Sequence, residues 1–79
     1  MNILFLKEYA DGKIVYEYQP EGKGEVGEVL FDTHSMSGEL VRRAEEDTDG
    51  KTYGFKALFK VEELVKNNNI PLKCTQAWY

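Results

Sequence analysis

Thr52 to Asn68, TYGFKALFKVEELVKNN, decides the fold class, because it carries two periodicities at once. Tyr53, Ala57, Leu58, Val61, Leu64 and Val65 recur at spacings of three and four and cover about 140° of a helical wheel at 100° per residue. Tyr53, Phe55, Ala57, Phe59 and Val61 also alternate, which is the period of a strand. Its length and its uninterrupted second half decide for an amphipathic helix over about 52–68. Thr52 or Asp49 is placed to cap the start, and Glu62 and Lys66 form a favourable i,i+4 pair. Asn67-Asn68-Asn69 before Ile70-Pro71 ends it.

The chain on either side of this helix reads as sheet. Asn2 to Tyr9 is rich in Ile, Leu, Phe and Tyr, and Lys13 to Gln19 alternates Ile14, Tyr16 and Tyr18 with Val15, Glu17 and Gln19. Ala10-Asp11-Gly12 between them predicts a β-hairpin, because Gly accepts the positive φ that a tight connection needs. Gln19 to Gly24 is a loop by its Pro and Gly content, and Glu25 to Asp32 follows as a third strand. Glu39 to Glu46 fits either a short helix capped by Ser37 or a strand. A strand is preferred, since Thr33 to Gly38 has the length of a hairpin loop and an edge position suits Arg42, Arg43 and Glu45. Leu72 to Tyr79 returns to strand character, with Leu72, Cys74 and Trp78 on one side. The expectation is one α+β domain over residues 1–79: a mainly antiparallel β-meander of about four strands, the helix packed on it, and a short closing strand.

A chain of 79 residues with one cysteine can build neither an internal disulfide nor a Cys/His zinc site. Stability must come from a small core, or from packing against a second copy, which favours a homodimer. The apolar run Ile3 to Leu6 has no basic residues before it and is not a signal peptide. With no segment near the roughly twenty apolar residues of a membrane span, a cytoplasmic setting is expected. The net charge of −4 is uneven: −3 over residues 1–31, −4 over 32–50 and +3 over 51–79. An acidic body with a basic last third argues against general binding to a phosphate backbone.

Phe31 to Leu40, FDTHSMSGEL, holds His34, the one histidine of the chain. On an extended segment Asp32 and His34 would share a side, as two metal ligands or an Asp-oriented imidazole do. A catalytic zinc takes three protein ligands, so acids from Glu45 to Asp49 would have to complete the set. Against this, Asp32, Thr33, Ser35 and Ser37 are ordinary turn residues that satisfy nearby backbone groups. Glu45 to Gly50 superficially matches a calcium loop, but Lys56 stands where a bidentate Glu must close it. Cys74 has no adjacent base, and Gly22, Gly24 and Gly27 precede a strand rather than open a helix. No cofactor is implied and no catalytic set is complete.

Phe55 and Phe59 remain unexplained, since they fall about 60° or more beyond the apolar stripe, beside Glu62 and Lys66, while Lys56, Lys60, Glu63 and Asn67 hold the solvent face. Grouped exposed aromatics mark interfaces. The leading expectation is therefore a non-enzymatic interaction module that meets another protein or a second copy through Phe55, Phe59, Lys56 and Lys60. Two alternatives from other classes are a small metal-dependent or hydrolytic enzyme centred on His34 and Asp32, and a binder of single-stranded nucleic acid. The latter would use the lysine-bearing helix and Tyr16 and Tyr18 on the sheet.

Overall fold

Each stretch expected to be strand contains one in the computed structural model, which describes residues 1–48 and 52–77. The elements are β1 (Asn2–Ala10), β2 (Lys13–Pro20), β3 (Gly27–Asp32), β4 (Ser37–Arg42), α1 (Thr52–Lys66) and β5 (Lys73–Gln76). The sheet order is β4-β3-β2-β1-β5, with every neighbouring pair antiparallel. Directions alternate across the sheet, so β4 and β5, at opposite edges, run the same way. The helix crosses one face to join them, giving the α+β architecture read from the sequence.

Local chemistry explains the turns. Asp11 and Gly12 have φ of 54° and 75°, the two positive values that a two-residue hairpin turn of the right twist requires. A bulge between Leu6 and Glu8 shifts the β1–β2 register and sets Lys7 apart from the ladder. At the far end of α1, Asn68 takes φ 54°, its N–H donates to Val65 O (3.0 Å), and Asn69 N–H donates to Leu64 O (3.0 Å). That paired capture of carbonyls is a Schellman ending. It is also why the helix stops at Lys66 rather than 68: Asn67 and Asn68 form its cap.

At the start of the helix a side chain that the sequence reading passed over takes part in the cap. Asp49 lies outside the described residues; Asp47 receives two N–H groups of the first turn. Its carboxylate accepts from Tyr53 N–H (3.3 Å) and Gly54 N–H (3.1 Å), and from the Tyr18 hydroxyl (2.8 Å). Asp47 is fully buried, and the first turn of α1 has no acid of its own, so this carboxylate brings a negative charge to the positive end of the helix.

The core lies between α1 and one sheet face: Leu4, Ile14, Tyr16, Tyr18, Val29 and Phe31 meet Ala57, Val61 and Leu64. Each such aliphatic or aromatic side chain contributes about 1.5–3 kcal/mol when fully buried. Tyr16 and Tyr18 do more than fill space. The Tyr16 hydroxyl donates to Pro71 O (2.6 Å), just before β5. The Tyr18 hydroxyl receives Ala44 N–H (3.0 Å) as it donates to Asp47. Two residues of the central strand thereby tie down both crossover connections. Ala44 N–H is taken by this hydroxyl, which is why β4 ends at Arg42 instead of running to Glu46. β5 is likewise shorter than expected: Leu72 precedes it and is 78% exposed. The placement expected for Trp78 and Tyr79 lies outside the described residues.

Candidate functional site

Three of the large apolar side chains that the core leaves exposed, Met36, Phe55 and Phe59, line one groove. Phe55, Leu58, Phe59 and Glu62 of α1 form one wall, Met36 and Gly38 of the β3–β4 hairpin the other, and Phe31 the floor, enclosing about 450 Å³. The wheel explains the helical wall. Buried Gly54, Ala57, Val61 and Leu64 set the inward direction, and Phe59 points almost opposite to it. Phe59 is 71% exposed, Phe55 49% and Met36 42%. On the hairpin side, β4 can come close because residue 38 is Gly: a Cβ there would lie 2.7 Å from Leu58 Cδ2 and 3.3 Å from Phe31 Cδ2.

The four residues expected to form an interface therefore separate into two pairs. Phe55 and Phe59 line the groove, whereas Lys56 and Lys60 lie on the other flank of α1, toward β5. The Lys56 carbonyl accepts from Gln76 Nε2 (2.7 Å). Lys60 is only 26% exposed at its side chain and pairs with Glu63 (2.9 Å), so it is not on the open solvent face expected for it. Met36, Leu58 and Glu62 were missed. Met36 carried the one usable signal, a flexible apolar side chain in a polar hairpin loop.

The Asp32–His34 stretch is a turn that docks on another turn. Asp32 Oδ1 accepts from His34 N–H (2.8 Å) and Ser35 N–H (3.4 Å), and these two donors hold its carboxyl below the usual carboxylate range. Thr33 donates both its N–H (2.8 Å) and its hydroxyl (2.7 Å) to Gly12 O. The His34 ring lies so close over Gly12 that a Cβ there would collide with it. Of the acids expected to join His34, Glu45 accepts from Glu25 N–H (2.8 Å), Asp47 caps α1, and Asp49 lies outside the described residues. Among the described residues no three His, Cys, Asp or Glu side chains are grouped closely enough to hold a metal ion.

Two further candidates change character. Tyr16 and Tyr18 are fully buried under α1, so neither ring can stack on a base, and burial pushes both hydroxyls up to about 12. The Cys74 thiol is half-buried and pushed up by that burial, the opposite of an activated nucleophile. On the sheet face away from α1, the largely buried carboxylate of Glu28 binds Lys7 and, at 3.4 Å, Arg42. Its hydrogen bond from Lys7, opposed by partial burial and aided by both positive charges, holds it below the usual carboxylate range. Among the described residues no helix is long and apolar enough to cross a membrane. Comparison with protein-family models, curated proteins and solved structures finds no match to this chain.

Proposed function

We propose that this domain is a non-catalytic protein-interaction module that docks a polypeptide, another protein or a second copy, in the groove between α1 and the β3–β4 hairpin. The observation that carries the reading is the grouping of Met36, Phe55 and Phe59, each between two-fifths and three-quarters exposed, around one concavity floored by Phe31. Isolated exposed apolar residues are ordinary, but three large ones lining one groove form a docking patch. Covering their exposed portions would return roughly 3–5 kcal/mol. Against the cost of association this supports weak or transient binding unless the rim adds to it.

A displayed library of random peptides, selected on the wild-type domain and counter-screened on Phe55→Ser/Phe59→Ser, tests this. Both positions are exposed, so the variant keeps its circular dichroism spectrum and its unfolding midpoint. Selected peptides should carry large apolar side chains and lose at least about tenfold in affinity for the variant. Peptides that bind both proteins equally, or a selection that yields none, would overturn the reading.

A further inference from the structure

We infer that the groove is a self-complementary surface, filled by a second copy of this chain through two-fold pairing of antiparallel α1 helices centred on Phe59. This rests on the docking reading above and names its partner. The helix runs from Thr52 to Lys66, which makes Phe59 its middle residue. A two-fold axis beside Phe59 brings each residue n places before it level with the residue n places after it on the second copy. At 100° per residue, Lys56 and Glu63 lie on one flank of Phe59, at about 60° and 40°, three residues before it and four after. The dyad sets Lys56 of each chain beside Glu63 of the other, offset by about one residue rise of 1.5 Å. By symmetry the pair forms twice.

On the opposite flank Phe55 and Glu62 are related in the same way, four residues before and three after. Phe55 of one chain then lies on the methylenes of Glu62 of the other, a side chain that already forms part of the groove wall. At the centre the two Phe59 rings meet and enter the grooves beside Met36. A parallel two-fold would instead turn the flanks against each other, setting Glu63 of one chain beside Glu62 of the other and Lys56 beside Phe55. The charge order along α1 therefore selects the antiparallel arrangement. Glu63 also pairs with Lys60 of its own chain and keeps a side chain 59% exposed, leaving its carboxylate accessible to a second cation. A specific interface of about 800 Å² per partner would cover about a sixth of the 4833 Å² surface, which α1, about 22 Å long, and the hairpin tip can supply.

The test is light scattering over about 10 µM to 1 mM on wild type, Phe59→Ser, Lys56→Glu, Glu63→Lys and the Lys56→Glu/Glu63→Lys double variant. Circular dichroism confirms that each is folded. Wild-type mass should rise with concentration from 9.1 kDa toward twice that value, and Phe59→Ser should stay at the lower value. Each single charge reversal should weaken association about tenfold, because it replaces two attractions by two repulsions. The double variant should return to within about threefold of wild type. A wild type that remains monomeric overturns the second copy as partner, while the peptide selection still judges the groove. A dimer indifferent to Phe59→Ser overturns this pairing and points away from the groove altogether. A double variant no better than its singles refutes the antiparallel register.

Discussion

Replacing Asp47 by alanine should be the most damaging single polar substitution in this protein, and its cost can be built from three hydrogen bonds. Two of them receive Tyr53 and Gly54 N–H at the start of α1, and losing such a cap costs about 1 kcal/mol. The third receives the Tyr18 hydroxyl inside the core, and a buried donor left without an acceptor costs about 1–3 kcal/mol. The sum is about 3 kcal/mol. A chain of this length holds about 4–12 kcal/mol at ordinary stability per residue, so Asp47→Ala should still fold. Its melting temperature should drop by about 12–24 °C.

The assay is urea denaturation followed by far-ultraviolet circular dichroism, run as a cycle with Tyr18→Phe. Tyr18→Phe leaves the two helix N–H groups on Asp47 but strips Ala44 N–H of its acceptor, for about 1–2 kcal/mol. Because the two substitutions remove one shared bond, the double variant should lose less than the sum of the singles, by about 1 kcal/mol. A loss below about 0.5 kcal/mol for Asp47→Ala, or strict additivity in the cycle, would refute the claim that this carboxylate and hydroxyl form one unit.

Two other substitutions test the packing and the ion network. Gly27→Ala should cost about 2–3 kcal/mol in urea midpoint, because its Cβ would lie 2.5 Å from both Ala44 N and Arg42 O and collide with the Tyr18 ring; a neutral result would show that the chain leaving β4 can move aside. Glu28→Gln should flatten the acid limb of the stability profile. The folded Glu28 carboxyl titrates below its ordinary value of 4.5, so its contribution is full above that pH and lost as pH falls through the lower folded value. The gap in urea midpoint between wild type and Glu28→Gln should be open at pH about 7 and close by about pH 2, below the carboxylate range; a gap independent of pH would exclude the ion network as its source.

What the sequence made legible is what repeats locally. Alternation over Lys13–Gln19, the Asp11-Gly12 turn and the three-four spacing of α1 each report on neighbours a few residues away, and each placed its element within a few residues. The helix cap was not legible. Glu45, Glu46, Asp47 and Asp49 look alike in the chain, and what singles out Asp47 is Tyr18, 29 positions earlier. The same limit misplaced the tyrosines: alternation gave the side of β2 on which Tyr16 and Tyr18 stand, but not that α1 would lie over that side. Lys60 was misread on the wheel itself, where it stands about 20° from Tyr53, at the border of the apolar stripe. The pairing of β5 with β1 extends the sheet beneath that flank. Phe55 and Phe59 were readable as outliers, yet the opposite wall of their groove comes from a hairpin whose docking no local pattern records.

The groove is also preformed, and the reason lies in two close approaches. At Gly54, α1 comes so near β4 that a Cβ would stand 2.8 Å from Leu40 Cδ1 and 3.1 Å from the Tyr18 hydroxyl oxygen. One turn later Leu58 fills the space that a side chain on residue 38 would need. The two walls are thus pinned at Gly54–Leu40 and at Leu58–Gly38, and Phe55 stands beside the first pin with Phe59 just beyond the second. A rotation of α1 by one residue, about 100°, would force Lys56 and Lys60 toward the core in one sense and Glu62 in the other, at a cost no surface contact recovers. Docking into a groove held this way orders only the side chains of Met36, Phe55 and Phe59, at about 0.5–1.5 kcal/mol each at most, and requires no rearrangement of the backbone. Stability and docking therefore rest on opposite sides of one helix: Asp47, Tyr18 and Gly54 fix its register from within, and that register alone determines which side chains it presents outward.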